Sequence, residues 1–152
     1  MIILVGGIVL SVLLGQGEFK YRVIEDWAKL PDEWSFMDVA GVAVNSKDEV
    51  FVFNRGEHPM IIFDIKGNYL RSWGENLFSR PHGIHIGPDD YIYCTDDGDH
   101  TVKKISPDGK LIFQIGVPGK PSEFMSNLPF HRCTHTALCP NNNIFVSDGY
   151  GN

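Results

Sequence analysis

Short apolar runs separated by polar turns follow one another along the chain from about residue 40 onward. Residues 42–44 and 50–53 flank one polar turn, and residues 60–63 and 69–73 flank a second. These runs are rich in β-branched and aromatic residues, which predicts pairs of short antiparallel strands. No apolar period of 3.6 residues extends over a useful length, so the pattern excludes helical repeats and leucine-rich repeats.

The pattern of strands and turns is itself repeated. The stretch 80–96 matches an earlier stretch at an offset of 42 residues, and a later one at an offset of 52 because ten residues are inserted. The pairs that coincide at the first offset are Pro88 with Ser46, Asp90 with Asp48, Asp96 with Asn54, Ile105 with Phe63, Gly109 with Gly67 and Gly116 with Gly74. Four short strands in about 42 residues is the size of a propeller blade. We therefore predict an all-β chain, a β-propeller of four-stranded blades, with repeats at about 40–74, 82–116 and 134–152, the last incomplete.

These repeats are too few to close a ring, so we expect residues 17–152 to be a partial propeller and the chain to be a fragment. Its expected partners are then the remaining blades. Residues 1–16 are an apolar N-terminal segment, which fits a signal-like core or an extension of the first strand. An extracytoplasmic location is favoured, with a cytoplasmic one as the alternative. Residues 21–27 alternate in polarity, which predicts a further strand that closes the ring.

Composition narrows the range of partners. The net charge is −6 and no Lys/Arg-rich run is present, which argues against a nucleic-acid partner. We expect no membrane partner beyond a possible signal segment at the N-terminus. Three cysteines are too few for a disulfide framework and lack the spacing of a zinc ribbon, so a Cys94–Cys133 or a Cys133–Cys139 disulfide stays open.

Residues that recur at the repeat offset are most simply structural. His58 recurs as His100, each in a Gly-acid-His turn, so we interpret both as structural side chains and not as metal ligands. Asp96 recurs as Asn54 and Asp148, which favours a side chain that caps its own turn.

Two positions of the repeat vary between copies and so need a separate reason. They hold Arg55, Asp97 and Gly149 at one position, and Ala40, His82 and Thr134 at the other. Both positions fall at the ends of strands, where propellers carry ligand sites around the central channel. The single copies of an arginine and a histidine there are candidate functional residues.

His131, Cys133 and His135 alternate, so they would share one face of a strand and could bind a metal ion. The alternative is a polar loop with a buried cysteine. His85 lies between two isoleucines and is interpreted as a core or inter-blade residue. Aspartates are also concentrated in the turns 89–90 and 96–99, but these lack the ligand spacing of a calcium loop.

Three segments, 54–58, 80–84 and 146–150, together resemble the NHL-repeat propellers. Within that group they resemble the peptidyl-α-hydroxyglycine α-amidating lyases (peptidylamidoglycolate lyases), which split a peptidyl hydroxyglycine into peptide amide and glyoxylate. The resemblance covers about residues 17–152. It implies a six-bladed propeller, about half of which is present here, with a zinc ion held by three histidines in the channel. It also implies a structural calcium bound partly by backbone carbonyls, and a catalytic tyrosine and arginines.

Carried over residue by residue, the resemblance assigns five positions. His82 matches the first zinc histidine, Arg55 a channel arginine and Tyr150 the proposed catalytic base. Val42 and Ile84 match two positions that offer backbone carbonyls to calcium. The cofactors implied are zinc and, as a further candidate, calcium.

The function implied by the resemblance is a zinc-dependent carbon–nitrogen lyase that acts on a small peptide-like substrate. The remaining zinc ligands would have to lie beyond Asn152, so we expect the chain alone to be inactive. The alternative is a non-enzymatic NHL propeller that binds a peptide or protein partner on its channel face. A lactonase-like calcium hydrolase is a third class, but its Glu and Asn ligands are not visible at the starts of strands.

Overall fold

A computed structural model describes residues 21–151, so the apolar N-terminal segment 1–16 and its two interpretations lie outside the described residues. The strands are β1 (Val39–Val44), β2 (Val50–Asn54), β3 (Met60–Phe63), β4 (Tyr69–Trp73), β5 (Pro81–Ile86), β6 (Ile92–Asp96), β7 (Thr101–Ile105), β8 (Leu111–Ile115), β9 (Cys133–Leu138) and β10 (Ile144–Asp148). Residues 21–151 contain no helix, and therefore none that is long and apolar enough to cross a membrane.

The ten strands form three antiparallel sheets. β1 to β4 pair in chain order to form a four-stranded sheet, and β5 to β8 form a second sheet of the same order. β9 and β10 pair as a hairpin. We call these sheets blade 1, blade 2 and blade 3. The prediction of an all-β fold of four-stranded antiparallel units is confirmed.

The first hairpin turn has the same backbone conformation in all three blades. Asp48, Asp90 and Asn142 have φ values of 60°, 60° and 65°, in the left-handed region that Asn and Asp adopt more readily than other side chains. Each backbone N–H donates to the carbonyl three residues earlier, at 3.2, 3.0 and 2.9 Å respectively. The Asp and Asn residues at the repeat offset are therefore needed by the turns themselves.

The first strands of the three blades lie side by side, because β5 contacts β1 on one side and β9 on the other. Glycine permits this approach. A Cβ atom at Gly83 would lie 2.4 Å from the Thr134 carbonyl oxygen, and one at Gly41 would lie 2.9 Å from Cγ2 of Ile84. An apolar core joins blades 1 and 2, and it consists of Phe51, Phe53, Met60, Ile62, Ile84, Ile92, Cys94 and Ile105. These first strands, which we call the inner strands, are thus held close enough for side chains of neighbouring blades to meet.

The prediction of a strand at 21–27 is wrong. This segment is a loop with a turn at Asp26, and only Lys29 forms an isolated bridge, to Asn68 beside β4. Trp27 is buried there against Phe63, with ring centroids 5.6 Å apart, and the rest of the loop covers blade 1. Tyr21 and Val23, the apolar residues that suggest alternation, are exposed, so the pattern there does not reflect a half-buried strand.

Candidate functional site

His82 is the second residue of β5 and makes contacts through both ring nitrogens. Nδ1 lies 2.9 Å from the carbonyl oxygen of Thr134 in β9. A carbonyl oxygen only accepts hydrogen bonds, so Nδ1 carries the proton and, in the neutral ring, Nε2 keeps its lone pair. Nε2 lies 3.3 Å from the Tyr150 hydroxyl, which can donate to it. Blade 3 therefore sets both the tautomer and the orientation of His82.

Tyr150 lies just after β10 and is 61% exposed. Its ring meets the His82 ring edge-on, with centroids 5.4 Å apart and an interplanar angle of 64°. The guanidinium of Arg132, the residue before β9, lies 5.3 Å from the centroid of the same ring. An aromatic ring attracts a cation placed over its face, so Arg132 is held beside the phenol. The structure thus brings together His82 and Tyr150, which are 68 residues apart in sequence.

A buried carboxylate holds Arg132 in this position. The side chain of Asp97 is fully buried, and its Oδ2 lies 3.1 Å from Nη2 of Arg132 and 2.7 Å from Nη1 of Arg80. The second oxygen, Oδ1, is buried without a hydrogen-bond partner among the described residues. One carboxylate therefore anchors two arginines, whose side chains are 41% and 43% exposed.

Arg55 follows β2 in blade 1 and reaches into blade 2. Its Nε donates to the carbonyl oxygen of Pro81 at 2.9 Å, and its Nη1 lies 3.9 Å from Asp38. Pro81 immediately precedes His82, so Arg55 contacts the backbone at the start of the strand that carries the histidine. The three candidate side chains, Arg55, His82 and Tyr150, thus follow one another across three blades.

The recurring histidines contact their surroundings in ways that agree with a structural role. His58 stacks on Trp34 with centroids 3.3 Å apart, and its Nδ1 lies 3.2 Å from Glu75. Nδ1 of His100 accepts a hydrogen bond from the backbone N–H of Arg132 at 3.1 Å, which links blade 2 to blade 3.

His85 lies between blades, as expected. Its ring centroid is 6.5 Å from that of His135 in β9 and equally far from that of Tyr93 in β6. Burial, and secondarily the neighbouring His135, lower the pKa of His85 below its ordinary value. A neutral imidazole is therefore favoured at this inter-blade position.

Asp96 caps its own turn as predicted, and Asp96 and its counterparts also contact a more distant part of the chain. Asp96 accepts hydrogen bonds from the backbone N–H groups of Gly98 and Asp99 in its own turn, at 3.0 and 3.1 Å. It also accepts from Ser79 and Arg80, which lead into β5, at 2.6 and 2.9 Å. The same reach of 17 residues joins Asn54 to the N–H of Met37 and Asp148 to the N–H of His131. These side chains fix the backbone just before each inner strand.

The cysteines are free, and Cys133 is buried as the alternative to a metal site expects, although Cys133 and His135 lie in strand β9 and not in a loop. Cys133 is buried and its Sγ donates to the Thr101 carbonyl oxygen at 3.2 Å. Burial raises the pKa of Cys133 to about 12, which disfavours the thiolate that would bind metal. Burial also raises the pKa of Cys94. No disulfide joins Cys94, Cys133 and Cys139.

No group of three His, Cys, Asp or Glu side chains within residues 21–151 is placed to hold a metal ion. His82 nevertheless has the arrangement of a metal-binding imidazole, with Nδ1–H donating to a backbone carbonyl and Nε2 able to bind. The calcium candidates Val42 and Ile84 lie in β1 and β5, two inner strands in direct contact.

Asp97 and Arg132 were not identified as site residues from the sequence. In the sequence Asp97 aligns with Arg55, and Arg132 lies between His131 and Cys133. One signal was present: Arg132 aligns with Arg80 at the offset of 52 residues. A pair of arginines at equivalent positions of neighbouring blades, with an unmatched aspartate between them, predicts an ion pair that crosses blades.

No protein-family model matches the chain. Among curated proteins, the chain is 36% identical over 89 residues to peptidyl-alpha-hydroxyglycine alpha-amidating lyase 1 of Drosophila melanogaster, which covers 57% of the chain and 16% of that protein. It is 30% identical over 141 residues to human NHL repeat-containing protein 3, which covers 86% of the chain and 40% of that protein. The chain thus spans well under half the length of either relative.

Among solved structures, the chain is similar to virginiamycin B lyase from Staphylococcus aureus. The TM-score is 0.58 at 22% sequence identity, over 79% of the chain and 37% of that structure. At this identity the likeness concerns the fold alone. Together the comparisons confirm the resemblance drawn from the three sequence segments and the propeller-type fold.

Proposed function

Since the chain is related to the NHL-repeat proteins that include the peptidyl-α-hydroxyglycine α-amidating lyases, we propose that the whole protein is a lyase of this kind. Its reaction would split a peptidyl α-hydroxyglycine into the peptide amide and glyoxylate. The observation that carries the proposal is the contact between His82 Nε2 and the Tyr150 hydroxyl at 3.3 Å. Both are single-copy residues of the repeat, and they meet at the ends of neighbouring blades.

The reaction requires a proton to leave the substrate hydroxyl and another to reach the amide nitrogen. As the O–H proton leaves, the carbon–oxygen bond becomes the carbonyl of glyoxylate and the carbon–nitrogen bond breaks. The electron pair of that bond stays on nitrogen, which then takes up a proton. Tyr150 is proposed to accept the hydroxyl proton as a phenolate, after its own proton has passed to solvent, and its exposed ring is accessible to substrate. Thr134 fixes the His82 ring, which packs edge-on against the Tyr150 ring and so positions the phenol.

Zinc is proposed to bind at Nε2 of His82, with its other ligands supplied by parts of the protein outside the described residues. A bound zinc ion would polarise the substrate hydroxyl and lower its pKa. The lone pair on Nε2 serves one partner at a time, so binding of metal there requires the hydrogen bond from Tyr150 to be given up. The backbone carbonyls of Val42 and Ile84 are proposed to bind a structural calcium ion, which prefers oxygen ligands.

Arg55 is proposed to neutralise the glycine carboxylate or the charge that develops during the reaction. Its position supports this role, because its Nε is fixed to the Pro81 carbonyl next to His82. The planar guanidinium keeps further N–H donors that a carboxylate or an oxyanion can accept.

Glyoxylate release by the full-length protein tests the proposal. The substrate is α-hydroxyhippurate, an N-acyl α-hydroxyglycine. We expect activity in the wild type and a loss of about 100-fold or more in His82→Ala and in Tyr150→Phe, the scale of a lost acid–base or metal-binding group. His85→Ala is the matched control, since this histidine lies in the same strand and contacts His135. Residues 1–152 alone are expected to release no glyoxylate.

Metal analysis of the same samples tests the zinc assignment separately. We expect about one zinc per full-length protein, lost in His82→Ala and kept in His85→Ala. A folded protein that releases no glyoxylate, or one whose activity is unchanged in both site variants, would contradict the lyase proposal.

A second candidate function is a propeller without enzymatic activity that binds a peptide or protein partner. The match to human NHL repeat-containing protein 3, whose name states no enzymatic activity, supports it, since that match covers 86% of the chain. In that case Arg55 and Tyr150 would be contact residues for the partner.

A further inference from the structure

Arg132 is the arginine most closely associated with Tyr150. Its guanidinium lies 5.3 Å from the centre of the Tyr150 ring, and its side chain is 41% exposed. Arg55 is less available, since its Nε is bound to a backbone carbonyl and its side chain is 27% exposed. A ligand at Tyr150 would therefore meet Arg132 directly.

The anchoring of Arg132 is unusual for a surface arginine. Its Nη2 lies 3.1 Å from Oδ2 of Asp97, a carboxylate with no solvent exposure that also holds Arg80. The backbone of Arg132 has φ of 69°, a conformation that costs free energy for a side chain other than glycine. Its N–H donates to His100. The backbone hydrogen bond, the buried carboxylate and the ring contact together fix this guanidinium in one place.

The two arginines outnumber the one carboxylate that they share. Two guanidinium groups share a single carboxylate, so the group of Arg80, Asp97 and Arg132 carries a net charge of about +1 at neutral pH. A guanidinium has five N–H donors, and the contact with Asp97 uses only part of those on Arg132. The remaining donors can bind a planar anion in a two-point arrangement.

We propose that Arg132, positioned by the buried carboxylate of Asp97, binds the carboxylate of the ligand beside Tyr150 and His82. This inference rests on the proposed function for the identity of the ligand, a peptide-like molecule that ends in an α-hydroxyglycine carboxylate. It assigns recognition of the carboxylate to Arg132, which leaves Arg55 to meet charge that develops at the reacting atoms. Asp97 is a positioning residue that acts through Arg132.

The test uses two probes that differ only in the charged group, hippurate (N-benzoylglycine) and its uncharged amide. Their dissociation constants are measured by calorimetry on the full-length protein. We expect the wild type to bind hippurate more tightly than the amide. We expect Arg132→Met to raise the dissociation constant of hippurate by about tenfold or more and to leave that of the amide unchanged. Asp97→Asn is expected to weaken hippurate binding by a smaller factor, because the loss of the ionic anchor of Arg132 is partly offset by the removal of a negative charge.

Two further variants make the result specific. Lys104→Met removes a cation that lies 4.4 Å from the Tyr91 ring centre on another part of blade 2, and we expect it to leave hippurate binding unchanged. Arg132→Lys keeps the charge without the planar fork, and we expect hippurate affinity between those of the wild type and Arg132→Met. Thermal unfolding of each variant shows whether it is folded, and Arg132→Lys serves as the binding test if Arg132→Met is not.

The inference is overturned if the wild type does not bind hippurate more tightly than the amide, or if Arg132→Met binds hippurate like the wild type. These outcomes can be separated from failure of the proposed function. Binding of hippurate that depends on Arg132, without any glyoxylate release, would retain the anion site and reject the lyase. Glyoxylate release, together with hippurate binding that does not depend on Arg132, would retain the lyase and reject the anion site at Arg132.

Discussion

Blades 1 and 2 have the same arrangement of four strands but differ in the charges near the ends of their strands. In blade 1 an ion pair joins Asp38, before the inner strand, to Arg55, after the second strand. In blade 2 the equivalent residues are Arg80 and Asp97, so the same two positions carry the opposite charges. The reversal leaves a carboxylate where blade 1 has an arginine, and this carboxylate binds Arg132 of blade 3. The repeat therefore fixes where these two side chains lie, and the type of residue at each position determines which side chain of a neighbouring blade it binds.

The two blades also differ in the charge of one buried side chain. Ile61 in blade 1 and Lys103 in blade 2 occupy equivalent positions and are both buried, at 0% and 2% exposure. Lys103 is paired with Asp99 at 2.6 Å and lies 3.9 Å from Asp96. Buried charges are retained only where they are paired. Blade 2 thus buries a paired lysine at a position where blade 1 buries an isoleucine.

Asp96→Ala is expected to have the largest effect on stability. Asp96 accepts hydrogen bonds from four backbone N–H groups, and its carboxylate lies near the buried Lys103. Because the substitution removes both contributions, we expect it to lower the free energy of unfolding by about 3–5 kcal/mol. Chemical denaturation of the full-length protein measures the change.

Asn54→Ala is the control for this prediction, because Asn54 is the counterpart in blade 1 and lies opposite no buried lysine. We expect it to cost less, about 1–3 kcal/mol. Asp96→Asn, which gives blade 2 the residue of blade 1, should fall between the two alanine variants. Equal losses for Asp96→Ala and Asn54→Ala would show that the carboxylate near the buried lysine of blade 2 adds nothing to stability.

A smaller effect is expected at the ion pair of Glu49, just before β2, and Arg71 in β4, which blade 2 replaces with Tyr91 and Phe113. Arg71 binds Glu49 through two hydrogen bonds of 2.7 and 2.9 Å. These hydrogen bonds lower the pKa of Glu49 below its ordinary value, against the opposing effect of burial. Because Arg71 is 36% exposed, solvent screening limits the contribution of the pair to about 1 kcal/mol or less.

The sign of the pH dependence follows from the lowered pKa. Glu49 binds protons more weakly in the folded than in the unfolded protein, so its contribution is present above its unfolded pKa, ordinarily 4.5, and is lost as the pH falls through the lower folded value. We expect Glu49→Gln to reduce the free energy of unfolding at neutral pH. We also expect the variant to lose less of this free energy than the wild type as the pH falls below 4.5. Denaturation curves over this range measure it, and Asp89→Asn is a control on the surface of blade 2. An unchanged pH profile in Glu49→Gln would contradict the account.

The blades could be predicted from the sequence because local rules fix them. Left-handed turn residues such as Asp48 and Asp90, and strands of alternating or buried character, recur at a constant offset. His82, Arg55 and Tyr150 could be selected because they interrupt the repeat, and the family resemblance then gave each a role. The Asp97–Arg132 contact escaped prediction because it crosses two blades and the ten-residue insertion changes the offset. The segment 21–27 was assigned wrongly because the alternation there comes from exposed apolar side chains and not from a half-buried strand.

The measurement that tests the central claim most directly is a double-mutant cycle on glyoxylate release by the full-length protein. It compares wild type, His82→Ala, Tyr150→Phe and the double variant with α-hydroxyhippurate as substrate. If the two side chains act as one unit, the double variant should lose little more activity than the more severely impaired single variant. Losses that multiply would show that His82 and Tyr150 act independently, and full activity in the double variant would contradict a reaction site at the junction of blades 2 and 3.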